Sequence, residues 1–162
     1  MATEKSFTFL TNASWTPDLQ SGWSISNWTP IYNINYFLVH MREAKGLSEA
    51  TYNHYEGTAR FWRAWQYFEK VKTFGAVPWY DEPIDPEDMV ALYKPRDSRE
   101  YVMERVLEDL NFACEHCYTS SDWINCARIN RYIALAYKAR VCLFEGTYRK
   151  YHSVDPVSYT HL

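Results

Sequence analysis

Two stretches of this 162-residue chain hold side chains of the kinds that do chemistry. The first is "CEHC" at 114–117, where two thiols in C-x2-C spacing flank Glu115 and His116, with Cys126 and His152 as further donors. That pattern is half of a zinc site. No second C-x2-C or H-x3-H unit accompanies it, and both thiols fall on the apolar face of a helical pattern, where cysteine behaves as a small hydrophobe. Buried free thiols are the better reading, and no metal is expected. The second is the acidic set Asp81, Glu82, Asp85, Glu87 and Asp88 in "YDEPIDPEDMV". Paired carboxylates or calcium ligands would draw on such residues, but the spaced glycine turn of a calcium loop is missing. A solvated, proline-rich connection explains them.

The sequence carries no nucleophile elbow, zinc-protease helix motif or phosphate-binding glycine loop, and it has only 5 Gly. No catalytic residue and no cofactor is expected. Net charge of -3, with 17 basic and 20 acidic residues interspersed, disfavours nucleic acid as a partner. Cys114, Cys117, Cys126 and Cys142 leave the redox compartment open. "ATEKSFTFLTNASW" after Met1 shows neither the basic start nor the apolar core of a secretory leader, and no apolar run nears the ~20 residues that span a bilayer. As written the chain reads as soluble and unaddressed. Its aromatic content is the anomaly: 18%, with 7 Trp and 14 Tyr. Rings at that density serve cores, protein interfaces and sugar platforms alike.

The elements that would position these residues are helices. Residues 1–26 show no sustained period and read as an irregular surface segment. Asn27 is a suitable N-cap for a helix from about Trp28 to Ala44, with Pro30 in its first turn. Ser48 opens a second helix to about Phe74, whose Phe61, Ala64, Trp65, Phe68 and Val71 form an apolar stripe. Trp62 and Tyr67 fall off that stripe, and Arg60, Arg63 and Lys72 are expected to keep their charges in water. Gly75 and Pro78 stop the helix. The four-proline connection allows at most a short turn near Glu87 to Leu92. Asp97 and Glu100 form a capping box for a third helix ending near Tyr118, and Asn130 caps a fourth from Arg131 to about Tyr148. Four helices without β-alternation, with alanines opposite aromatics, predict an all-α fold: antiparallel helix pairs in a tetratricopeptide-like right-handed stack with long irregular loops.

Taken in order, "NWTPIYNINYFL" (27–38), "ARFWRAWQYFEKVKTFGAVPWY" (59–80), "PRDSREYVMERVLEDLNFA" (95–113) and "ARINRYIALAYKARVCLFEGTYRKYH" (127–152) resemble the N-terminal helical portion of the SusD/RagB family. The resemblance implies a surface lipoprotein of the cell outer membrane that binds glycans or other nutrients and sits as a lid on a SusC-like TonB-dependent transporter. It implies a binding protein and not an enzyme. It divides the chain into the irregular segment 1–26, an incomplete helical domain at 27–152 and a tail at 153–162. The family's acylated N-terminal Cys and long C-terminal region are not among these residues, so the chain reads as a fragment, associated with membrane only through a lipid anchor outside it. The closing "VSYTHL" resembles translated adapter read-through.

By the same resemblance, sugar-facing rings come partly from the irregular stretch before the first helix. Trp15 and Trp23, with Asn12 and Asp18 beside them, are therefore the candidate oligosaccharide-binding residues, while Trp28 is assigned to the core. A scaffold that binds protein or peptide is the alternative, and an all-α enzyme with an acidic site is a third reading.

Overall fold

The computed structural model describes residues 25–85, 87–119 and 128–152. Helix α1 runs Ile25–His40 and continues into a 3-10 turn at Met41–Glu43; α2 is Glu49–Phe74, α3 the single turn Met89–Leu92, α4 Arg99–His116 and α5 Arg131–His152. Ser48 ends the turn between α1 and α2, its Oγ accepting the Thr51 amide at 3.2 Å. At the other end of α2, Gly75 takes φ of 71°, a left-handed conformation that a side chain would strain. Asn130 caps α5 as expected, its Oδ1 accepting the Ile133 amide at 3.0 Å.

Four boundaries differ from expectation. Helix α1 begins before Trp28, so Asn27 lies within it and uses its carbonyl to accept the Lys70 ammonium at 2.8 Å. The cap of α4 is Ser98, whose Oγ accepts the Tyr101 amide. Asp97 is diverted to the proline segment, where its carboxylate accepts the Trp79 amide and the Lys94 ammonium, both at 2.7 Å. Helix α4 also closes at His116 and α5 continues to His152.

Successive long helices pack antiparallel. Tyr118, just past α4, meets His54 near the start of α2, and Asp109 meets Arg63 further along. Helices α4 and α5 are joined at one end by the Arg131 guanidinium on the Cys114 carbonyl and at the other by Arg99 on Glu145. The α2–α4 contact is the most extensive. There a Cβ on Gly57 would stand 3.0 Å from the Cys117 sulfur and 3.4 Å from the Ala113 Cα, so the glycine sets the approach distance. Phe61, Ala64, Phe68 and Val71 of α2 close on Val102, Met103, Val106 and Leu110 of α4, with Ala134, Val141 and Cys142 of α5 behind. Each large side chain so buried contributes roughly 1.5 to 3 kcal/mol. The fold is all-α, a tetratricopeptide-like stack of helix pairs. Among the described residues, β pairing is limited to an isolated antiparallel bridge between Val77 and Asp97.

The aromatic segment is sorted differently from its stripe. Tyr67 is fully buried and stacks on Trp79, ring centroids 4.1 Å apart. Trp65 is only half-buried, its ring edge-on to Trp62 at 5.8 Å. The reason is that α2 is covered on two sides, by α4 and α5 on one and by the returning proline segment on another.

Candidate ligand-binding cleft

Residues 76–97 leave the end of α2, fold back along it and rejoin at the start of α4. Several ties hold this excursion shut. The Asp97 amide donates to the Val77 carbonyl at 3.2 Å, Lys94 Nζ donates to the Trp79 carbonyl at 3.0 Å, and the Tyr80 hydroxyl donates to the Ala91 carbonyl at 3.1 Å. Where the excursion passes α1 it leaves a cleft of about 770 Å³. Trp28, Ile31 and Tyr32 of α1 form one wall; Pro78, Tyr80, Glu82 and Ile84 form the other; Leu92, Lys94 and Arg96 close an end.

Trp28 is held in place from several directions. Its ring meets Tyr67 at 6.4 Å and Tyr80 at 6.2 Å, both edge-on, and the Lys70 ammonium lies 4.5 Å from its centroid. It is therefore a half-buried wall of the cleft that also packs on the core, and not the plain core residue expected. Tyr32, 43% exposed, stacks toward Tyr36 along the helix. Lys94 spends two of its three N–H donors on Trp79 and Asp97, which leaves one.

Below the cleft is a buried polar node. The Arg63 guanidinium forks onto Asp109 with Nε–Oδ2 of 2.7 Å and Nη2–Oδ1 of 2.8 Å, and its Nη1 donates to Asn35 Oδ1 at 3.1 Å and to the Asp81 carbonyl at 3.4 Å. Asn35 in turn donates to the carbonyls of Tyr80 at 2.8 Å and Glu82 at 3.3 Å. Arg63 was expected in water; it is 4% exposed, because the excursion covers it and Asp109 neutralises it. Burial is the largest influence on both charges, pushing Asp109 up. Arg63 is raised in spite of it by the fork to Asp109. The pair is charged at neutral pH, as the double fork requires.

Asp81, Asp85 and Asp88 of the connection are engaged in local structural bonds. Burial acts to raise Asp81, but the Trp79 indole and the Arg105 guanidinium, each 2.8 Å from Oδ1, outweigh it and hold the carboxyl below its usual range. Asp85 accepts the Glu87 amide, and Asp88 caps α3 through the amides of Val90 and Ala91. Cys114 and Cys117 are buried free thiols, and burial pushes Cys117 up to about 11, so neither is a ready thiolate. His116 packs its ring at a tilt against Phe112, centroids 4.2 Å apart. Among the described residues no group of three His, Cys, Asp or Glu converges as a metal site would require.

Trp15, Trp23, Asn12, Asp18 and Cys126 lie outside the described residues. Of the cleft residues, Tyr32, Glu82, Lys94 and Arg96 were not singled out as binding residues from sequence. The available signal was the pair of ring-bearing stretches, "NWTPIY" and "VPWYDEP", on either side of the long aromatic helix. A second, smaller groove of about 390 Å³ lies between α1 and α2, lined by Phe37, Tyr55 and Trp62 with Asn33 and Gln66.

Comparison with known proteins bears on this geometry. Residues 4–143 match the profile of the SusD-like family described as starch-binding and associating with the outer membrane. The structure is similar to that of a SusD-like protein from Bacteroides fragilis, with a TM-score of 0.67 and 28% identity over 76% of this chain and 23% of that one. It is similar to surface glycan-binding protein A from Bacteroides fluxus, with a TM-score of 0.65 and 26% identity over 85% of this chain and 28% of that one. A laminarin-binding SusD-like protein shares the fold, with a TM-score of 0.65 and 22% identity over 83% of this chain and 28% of its own. The chain thus spans about a quarter of the length of these solved relatives. No curated protein matches it.

Proposed function

The chain belongs to the SusD-like family, and from that premise we propose that it is the helical part of a surface protein that captures oligosaccharides without breaking a bond. The observation that carries this reading is the cleft itself. Trp28, Tyr32 and Tyr80 present rings around a space of about 770 Å³, and Glu82, Lys94 and Arg96 stand at its rim. Pyranose rings have apolar C–H faces that rest on aromatic side chains, and equatorial hydroxyls that bond carboxylate, ammonium and guanidinium groups.

Trp15 and Trp23, with Asn12 and Asp18, are proposed to add further stacking and hydroxyl contacts from the segment ahead of α1. The helical domain at 27–152 would then act as a rigid carrier for loops. By family resemblance the captured sugar passes to a SusC-like TonB-dependent transporter in the outer membrane, where a lipid anchor outside these residues would hold the protein. A peptide-binding scaffold is the second reading, favoured by the apolar groove of Phe37, Tyr55 and Trp62 between α1 and α2.

The test is affinity electrophoresis of the full chain through a panel of polysaccharides that includes soluble starch and laminarin. Retardation by at least one, weakened tenfold or more by Trp28→Ala or Tyr80→Ala, is the expected result. Retardation by none, with tight binding to a peptide library lost on Trp62→Ala, would reverse the two readings.

A further inference from the structure

Asn35 is fully buried, yet it lies at the base of the cleft wall, and its side-chain hydrogen bonds lead away from its own helix. Its amide N–H groups reach the carbonyls of Tyr80 and Glu82, and its oxygen receives Arg63, which Asp109 holds with two bonds from the far side. The Tyr80 amide is held independently, donating to the Tyr67 hydroxyl at 2.9 Å. Both backbone polar groups of Tyr80, next to the cleft, are thus satisfied by buried side chains of two different helices.

We infer that Asn35 is a positioning residue: through it the Arg63–Asp109 pair fixes the backbone of residues 80–82 and so sets where the Tyr80 ring and the Glu82 carboxylate stand across from Trp28. An asparagine suits this place because it must accept from a guanidinium and donate to two carbonyls at once. Aspartate lacks the donors, and an aliphatic residue lacks both functions. A segment held this way has its ordering cost met during folding and not on ligand binding, which favours affinity. What the cleft binds rests on the glycan reading above; the holding of residues 80–82 does not.

Asn35→Asp keeps the shape and the acceptor for Arg63, deletes the two donors and adds a carboxylate charge. Asn35→Leu, close in size and uncharged, guards against a buried carboxylate unfolding the protein. Hydrogen–deuterium exchange on the full chain is expected to rise at least tenfold over residues 78–84 in either variant, with residues 102–110 of α4 unchanged. Unchanged exchange over 78–84 overturns the inference, and so does an equal rise over 102–110, which would make Asn35 a general packing residue.

In the unaltered protein the Tyr80 amide should exchange as slowly as helix-core amides; exchange at the rate of an open loop also overturns it, even if neither variant folds. In the affinity gels, whichever polysaccharide of the panel retards the parent is expected to bind the variants at least tenfold more weakly. A loosened segment with undiminished binding overturns the positioning role. If no polysaccharide of the panel binds the parent, the glycan reading fails, and the exchange data alone decide whether Asn35 holds the segment.

Discussion

Two buried charge clusters sit at different places in the helix stack, and they differ in what they are wired to. The Arg63–Asp109 pair, between α2 and α4, extends through Asn35 and directly from Nη1 to the backbone of the proline segment. The other cluster lies between α4 and α5, where fully buried Glu145 receives Arg99 at 2.5 Å and Arg149 at 2.9 Å, and the Arg99 guanidinium covers the Tyr148 ring at 3.6 Å. Its described contacts run to α4 and α5 and not to the cleft. The first cluster ties helices to an irregular segment; the second ties helix to helix. Similar chemistry therefore has two roles, and the contacts beyond the ion pair tell them apart.

The sharpest way to break that distinction is Asp109→Ala. It leaves the Arg63 charge buried without its counterion, and the expected loss of folding stability is about 3 to 5 kcal/mol by urea denaturation. Faster exchange over residues 78–84 should persist well below the unfolding midpoint. If exchange rises everywhere alike, the two clusters do not differ. Glu145→Ala is expected to cost less, about 2 kcal/mol, because Arg99 and Arg149 stand nearer the surface, at 11% and 9% side-chain exposure, and can recover some hydration. Polysaccharide retardation should stay at the parent level; a loss of binding would connect the second cluster to the cleft after all.

Lys70 sharpens the comparison as a buried charge with a carbonyl and a ring beside it. Burial lowers it from 10.5 to about 8. Between those values the unfolded chain holds the proton more fully than the folded one, so this group makes stability rise with pH across that window. The slope cannot exceed about 1.4 kcal/mol per pH unit for one proton. Lys70→Met should remove that rise, as read from unfolding free energies at pH 7.5 and 9.5. An identical pH dependence in parent and variant would mean that the ammonium is not desolvated in the folded state.

The helices were legible because their signals are local. Ser48, Gly75 and Asn130 act on backbone groups within three or four residues of themselves, and the stripe of Phe61, Ala64, Phe68 and Val71 repeats at helical spacing. The cap of α4 was misplaced by one residue since Asp97 and Ser98 are both good caps, and only the folded excursion, by claiming Asp97 for the Trp79 amide, leaves Ser98 to do it. The site was harder to read. Arg63 lies 28 positions from Asn35 and 46 from Asp109. Nothing in the spacing of a lone arginine on a helix distinguishes a wet charge from a buried fork. Tyr67 was read as off the stripe, but its partner was not legible for the same reason, as Trp79 reaches it only after the chain doubles back.

The bridge from Val77 to Asp97 has a further consequence, one of evolvability. Because the two feet of the excursion are fastened to each other, residues between Ile84 and Leu92 can lengthen, shorten or change composition without moving the rods to which the feet belong. The entropy of closing a longer loop grows only slowly, by about 0.6 kcal/mol for each doubling. Selection could thus rewrite the far rim of the recess for a new ligand while inheriting the frame unaltered, much as a lathe keeps its bed when the tool is exchanged.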